Sequence, residues 1–85
     1  MSPLMTVGEF ALATGLSVKA LRFYDERGLL APADVDAHSG YRRYEPGQIR
    51  TAAQIRVLRA AGLTVDDVRS VLADPASLSA RLEAH

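Results

Sequence analysis

Two short clusters of basic and aromatic side chains, about twenty residues apart, carry groups suited to binding a ligand. Their members are Lys19, Arg22, Tyr24, Tyr41, Arg42 and Arg43. Ammonium and guanidinium groups bind phosphate oxygens, a tyrosine hydroxyl can do the same, and arginine also binds guanine through two parallel hydrogen bonds. This chemistry indicates a polyanionic ligand, and nucleic acid above all.

Residues suited to catalysis or to a metal ion do not accompany these clusters. The chain has no cysteine, and its two histidines, His38 and His85, are far apart in the sequence. The acidic pairs at residues 25–26 and 66–67 suit surface charge and helix starts better than acid–base catalysis. We therefore predict no enzyme activity, no cofactor and no metal site.

Charge is distributed unevenly along the chain, although the formal net charge is zero. Residues 19–59 contain eight basic and five acidic residues, a net charge of +3, and the remainder has a net charge of −3. Such asymmetry can orient a protein on a polyanion. We expect moderate affinity for nucleic acid and a strong dependence on salt.

The first thirty residues have the pattern of two helices joined by a tight turn. Thr6 and Glu9 form a capping box at the start of the first helix, and Gly15 suits its end because glycine adopts the left-handed conformation freely. Ser17 caps a second helix that we place over residues 18–27. A helix–turn–helix of this kind presents its second helix to the major groove of DNA.

The second helix carries the first cluster. Lys19 and Arg22 lie three residues apart on one face, where they can reach base edges or phosphates; a solvated face paired with nearby acidic residues is the alternative. Phe23 and Tyr24 are neighbours in sequence and therefore point in different directions. We assign Phe23 to packing and the Tyr24 hydroxyl to a phosphate, with a buried Tyr24 as the alternative.

Residues 31–44 lack a helical period and are rich in turn formers. A turn precedes residues 41–44, whose aromatic and arginine content suits one strand of a small hairpin. Because successive strand residues face opposite sides, Arg42 and Arg43 cannot contact one ligand in the same way. Tyr44 is assigned to the core.

Further helices are predicted in the second half of the chain. Pro46 suits the first turn of a third helix, and Gly62 suits its end. A capping pattern at Thr64 starts a fourth helix. Beyond the break at residues 74–75, residues 76–84 have the pattern of the start of a longer helix.

In order and spacing, these features resemble the N-terminal DNA-binding domain of the mercury-resistance-regulator (MerR) family over about residues 5–72. The landmarks that carry the resemblance are Thr14-Gly15-Leu16-Ser17, Leu21-Arg22-Phe23-Tyr24, Gly28-Leu29-Leu30, Ser39-Gly40-Tyr41-Arg42-Arg43-Tyr44, Leu58-Arg59 and Gly62-Leu63. The resemblance implies a mainly α-helical winged helix–turn–helix with four helices and a small β-hairpin wing. The third and fourth helices would act as a second wing.

The resemblance also implies partners and site residues. Members of the family bind pseudo-palindromic promoter DNA as dimers and distort an over-long promoter spacer for RNA polymerase. For this chain it implies a DNA-binding domain over residues 5–73 and the start of a dimerisation helix over residues 74–85. Tyr41 and Arg42 would contact phosphates, and Arg59 would contact the DNA backbone. The full set of predicted DNA-binding residues is Ser17, Lys19, Arg22, Tyr24, Tyr41, Arg42, Arg43 and Arg59.

Two alternatives for the function remain open at this stage. An excisionase-like or small effector-less architectural protein shares the winged fold and coats repeated DNA sites. A protein-interaction module on the same fold would bind a partner helix, although the basic and aromatic clusters argue against it. We further expect a cytoplasmic, nucleoid-associated protein without membrane contact, and a chain truncated from a longer regulator, with a naturally short protein as the alternative.

Overall fold

The computed structural model of the protein describes residues 3–74. Helices and short strands follow one another along this part in the order β1 (Met5–Thr6), α1 (Val7–Thr14), α2 (Val18–Glu26), β2 (Asp34–Val35), β3 (Arg42–Tyr44), α3 (Gln48–Ala60) and α4 (Val65–Ala73). This order confirms the predicted winged helix–turn–helix with four helices and a small wing. The predicted start of a fifth helix lies outside the described residues.

Hydroxyl caps fix the starts of α1, α2 and α4. The Thr6 hydroxyl accepts a hydrogen bond from the Glu9 N–H at 3.1 Å, and the Glu9 carboxylate accepts one from the Thr6 N–H at 2.8 Å. Ser17 and Thr64 accept in the same way from the third residue of α2 and of α4, at 3.0 and 3.1 Å. Each cap satisfies an N–H that the helix itself leaves without a partner, and is worth about 1 kcal/mol.

The start of α3 differs from the prediction. The helix begins at Gln48, after a turn through Pro46 and Gly47, and has no side-chain cap at its N-terminus. The Gln48 side chain instead accepts from the Glu45 N–H at 2.8 Å and donates to the Ala31 carbonyl at 2.7 Å. One side chain thus joins the start of α3 to the segment that follows α2.

The turn between α1 and α2 depends on Thr14 and Gly15. Thr14 is buried, and its hydroxyl donates to the Phe10 carbonyl at 2.8 Å and accepts from the Leu16 N–H at 3.3 Å. Gly15 has a φ of +76°, a conformation that L side chains rarely adopt. Together, Thr14 and Gly15 allow α1 to end and α2 to begin with only three residues between them.

The wing is a three-stranded antiparallel sheet in the order β1-β3-β2. The paired residues are Met5 with Tyr44, Thr6 with Arg43, Asp34 with Arg43, and Val35 with Arg42. The sequence predicted a hairpin at this place but not the strand β1, because two residues are too few to show an alternating pattern. Through β1 the wing is joined directly to the start of α1.

A stack of two aromatic rings lies in the core. The centroids of Phe10 and Tyr44 are 4.2 Å apart and the rings are within 6° of parallel. Around them pack Leu21, Ile55 and Val68, so α1, α2, β3, α3 and α4 all contribute a fully buried side chain. The core assignment of Tyr44 is confirmed.

The Tyr44 hydroxyl is buried and has no hydrogen-bond partner among residues 3–74. An unsatisfied buried polar group costs about 1–3 kcal/mol. We therefore expect Tyr44→Phe, which keeps the stacked ring, to leave the free energy of unfolding in urea unchanged or to raise it. Phe10→Leu is the control, and losing the ring pair should lower that free energy by about 1 kcal/mol. A clear loss of stability in Tyr44→Phe would show that the hydroxyl makes a stabilising contact.

Burial also raises the pKa of Tyr44 above its usual value of 10.0. The unfolded chain ionises this group near pH 10 while the folded chain keeps it protonated. Its contribution to stability is therefore present below that pH and is lost as the pH rises through the folded pKa. Between about pH 9 and 11 the free energy of unfolding should fall less steeply in Tyr44→Phe than in the parent chain. Parallel curves for the two proteins would contradict this.

Candidate nucleic-acid interface

The first cluster lies on the exposed face of α2. Lys19 and Arg22 are both exposed, and within the part of the chain that the structure describes neither forms an ion pair or a hydrogen bond. The alternative in which Asp25 or Glu26 pairs with them is not found within residues 3–74, where Asp25 pairs with Arg42 of the wing instead. Two cations therefore face solvent on the helix that follows the turn.

A small cleft joins α2 to the wing. It measures about 60 Å³ and is lined by Val7, Val18, Arg22, Gly40, Tyr41 and Arg42. Tyr41 is 72% exposed at its mouth. The cleft thus brings together Arg22 of the first cluster with Tyr41 and Arg42 of the second, which are 19 and 20 positions further along the sequence.

Arg42 is held by α2. Its Nε donates to the Asp25 carboxylate at 2.9 Å, and both side chains are about three-quarters buried. This hydrogen bond raises the pKa of Arg42, with a smaller effect from the negative charge of Asp25. The two terminal nitrogens of the guanidinium donate to no residue in the described range 3–74, so they remain available to a phosphate.

Arg43 faces the opposite side of the strand, as the alternation predicted. Its guanidinium lies 3.8 Å from the carboxylates of Asp34 and Asp36, and all three side chains are partly exposed. The Asp36 carboxylate accepts from the backbone N–H groups of Ser39 and His38, both at 2.9 Å. These hydrogen bonds lower the pKa of Asp36 and hold the wing turn in shape.

The assignment of the two aromatic rings of α2 was wrong. Tyr24 is the buried ring, with 7% of its surface exposed, and Phe23 is 36% exposed. The reason is helix phase: Tyr24 follows the fully buried Leu21 by three residues and shares its face. Phe23 follows Lys19 by four residues and shares the exposed face. The alternative of a buried Tyr24 is thus confirmed, while its contact with a phosphate stays a prediction.

Ser17 and Arg59 lie outside the cleft. Ser17 caps α2, as described above. The Arg59 guanidinium donates to the Leu63 carbonyl at 2.8 Å, next to Gly62 with its φ of +99°, and so stabilises the turn between α3 and α4. Both side chains are exposed, and their contact with DNA stays a prediction.

Sequence reasoning missed a second cationic group at the end of α2. The Arg27 guanidinium carbon lies 5.1 Å from the centroid of the Phe23 ring. Arg69 of α4 donates to the backbone carbonyl of Arg27 and pairs with Asp66 at 3.1 Å. The four-residue spacing from Lys19 to Phe23 to Arg27 was the available signal, because such residues share a helix face.

Within residues 3–74 no group of three or more His, Asp or Glu side chains is arranged to hold a metal ion. None of the helices there has the length and apolar character needed to cross a bilayer.

Comparison with known sequences identifies relatives of the chain. Residues 5–74 match the family model described as MerR HTH family regulatory protein. The transcriptional activator TipA of Streptomyces coelicolor is 38% identical over 72 residues, which cover 85% of this chain and 28% of TipA. The transcriptional regulator CueR of Yersinia pestis is 39% identical over 83 residues, which cover 94% of this chain and 59% of CueR. The chain therefore spans only part of the length of these regulators.

Solved structures share the fold. EcmrR, in a cryo-EM structure of its DNA complex within EcmrR-RPo, matches with a TM-score of 0.78 and 31% identity over 82% of this chain and 26% of that one. HiNmlR, a MerR family regulator lacking the sensor domain and bound to promoter DNA, matches with a TM-score of 0.68 and 28% identity over 80% of this chain and 53% of that one. With a family model that covers most of its length and a fold shared with these regulators, the chain belongs to the MerR HTH family of regulatory proteins.

Proposed function

We propose that this domain binds double-stranded promoter DNA with α2 in the major groove and the wing on the phosphate backbone. The observation that carries the proposal is the cleft in which Arg22, without an ion pair to any described residue, lies beside Tyr41 and Arg42. The relatives EcmrR and HiNmlR, whose structures contain DNA, support DNA as the ligand. An α-helix fits the major groove, where each base pair presents a distinct pattern of donors and acceptors.

In this proposal some side chains contact bases and others contact phosphates. Arg22 and Lys19 face base edges or nearby phosphates, and Arg22 has the planar fork that guanine accepts. Tyr41 and Arg42 contact phosphates next to the cleft, which fixes the position of α2 in the groove. Asp25 acts as a positioning residue, because it binds Nε of Arg42 and leaves the terminal nitrogens free.

The other predicted residues have supporting roles in this proposal. Arg59 contacts the backbone from the turn between α3 and α4, and Ser17 contributes through the exposed N-terminus of α2, where helix N–H groups favour a phosphate. Arg43 contacts a phosphate only by giving up its two ion pairs at 3.8 Å. Tyr24 reaches a phosphate only with its hydroxyl, since the ring is buried.

In the whole protein we propose a dimer on pseudo-palindromic DNA that distorts the promoter spacer for RNA polymerase in the cytoplasm. The structure of the EcmrR–DNA complex within EcmrR-RPo supports the polymerase as a partner. We place the dimerisation helix after Pro75, outside the described residues. The last turn of α4 leads toward it and lines an apolar groove of about 590 Å³ between α3 and α4. None of the relatives reported above supports an excisionase-like or protein-interaction role.

Arg22→Ala tests the reading role of α2. On a duplex from the promoter region of the chain's own gene, we expect specific binding to weaken by about 1–3 kcal/mol, with a smaller effect on random-sequence DNA. Fluorescence anisotropy over a salt series measures both affinities. Arg50→Ala, which removes an exposed arginine of α3 that does not line the cleft, is the control and should change specific binding little. Equal affinity of Arg22→Ala and the parent on the specific duplex would contradict the role.

Asp25→Asn tests whether Asp25 positions Arg42. Removing a negative charge near DNA should strengthen binding if charge alone mattered. We expect the opposite, a loss of about 1–2 kcal/mol, because the neutral amide oxygen of asparagine accepts a weaker hydrogen bond from Arg42 than the carboxylate does and orients it less firmly. Glu26→Gln removes the neighbouring negative charge without touching that bond, and should leave binding equal or slightly tighter. Tighter binding by both variants would show that Asp25 has no positioning role.

A further inference from the structure

The exposed face of α2 carries a second feature that the roles above do not use, the pair formed by Phe23 and Arg27. Phe23 is 36% exposed. Tyr24 occupies the core beside it, and the centroids of the two tilted rings are 5.8 Å apart. Exposing an aromatic ring to water forgoes the stability that burial would provide. Packing in this domain therefore leaves Phe23 partly open to solvent.

The position of the ring on α2 is informative. Lys19, Phe23 and Arg27 recur at four-residue steps and lie on the same side of the helix. Arg22 lies on the side of the wing, where it lines the cleft, so Phe23 lies further round the exposed face. A helix in the major groove presents part of its exposed face to base edges and the borders of that face to phosphates. A phenyl ring has no hydrogen-bonding group, and the feature of that groove that it fits is the C5-methyl group of thymine.

Neighbouring contacts hold the ring in place before any ligand binds. The Arg27 guanidinium lies over the ring at 5.1 Å, a distance typical of a cation–π contact. The backbone carbonyl of Arg27 accepts a hydrogen bond from Arg69 of α4, which fixes the end of α2. Arg27 itself has no carboxylate partner among residues 3–74, so its charge remains available. A restrained apolar group loses little entropy on binding.

We propose that Phe23 reads a thymine methyl group in the major groove and that Arg27, held on its ring, neutralises an adjacent phosphate. The proposal rests on the DNA binding proposed for α2 and adds a base contact on the part of the exposed helix face that does not line the cleft. The benzyl group of Phe23 distinguishes thymine from the other bases by apolar contact. The guanidinium of Arg27 contacts a phosphate whatever the base sequence is.

Uracil substitution tests the methyl contact without any change to the protein. The probe is the duplex that the 85-residue chain enriches from a random-sequence library, with each thymine replaced singly by deoxyuridine. Burial of one methyl group is worth about 0.8 kcal/mol, so we expect about a fourfold loss of affinity at one thymine per recognition helix. A change below about 1.5-fold at every thymine would overturn the proposal, since a fourfold loss is expected.

Substitution of Phe23 assigns the contact to a residue. Phe23→Ala should bind the thymine duplex more weakly and no longer distinguish thymine from uracil at the sensitive position. Leu12→Ala, which removes a side chain 89% exposed on α1, is the matched control and should keep the fourfold difference. Retention of that difference in Phe23→Ala, with its helical content intact by circular dichroism, would refute the assignment.

Arg27→Gln tests the phosphate contact. The slope of log affinity against log salt concentration should become shallower by about one unit, equally on specific and random duplexes. An unchanged slope would refute the role of Arg27. If Arg22→Ala loses binding while Phe23→Ala has no effect, only the inference about Phe23 is contradicted. If the parent chain binds DNA independently of salt, the proposed function is contradicted as well.

Discussion

The stack of Phe10 on Tyr44 is the contact on which the arrangement of the domain depends. It fixes β3 against α1, and the alternation of strand residues then directs Arg42 to the same side as Tyr44, toward Asp25 of α2. Arg43 is directed to the other side, toward the acids of β2. One buried aromatic pair therefore holds β3 against α1, and the strand alternation that follows from it decides which arginine turns toward α2.

Local features of the fold were predictable because their causes are local. Hydroxyl caps and left-handed glycines act within a few residues, so the bounds of α1, α2 and α4 follow from the sequence almost to the residue. The start of α3 was missed by two residues because its turn uses Gln48 side-chain bonds instead of a cap. Strand β1 was missed because its only signal is its pairing with β3, which the chain reaches about forty residues later.

The members of the candidate site remain a prediction, of which the structure brings Arg22, Tyr41 and Arg42 together at one cleft. The residue types of both clusters indicated a polyanion site, and the spacing between them carried the resemblance to the family. The link from Asp25 to Arg42 could not be predicted, because it joins residues 17 positions apart on different elements. The wrong assignment of the buried ring to Phe23 instead of Tyr24 had a similar cause. Which of two adjacent aromatic residues in a helix is buried depends on which side of the helix the rest of the protein covers.

Lys19 is also a site where the side chain can be modified chemically. It is the only lysine in the 85-residue sequence, and its ε-amine is exposed on α2 without an ion pair to any residue of the described part. Acylation of lysine side chains, whether by a reagent or by an acetyltransferase, would therefore fall on a single amine of this chain and would neutralise it. The rate of acylation at this side chain measures the accessibility of one position on the helix, and no second lysine side chain in the 85-residue sequence competes for the label.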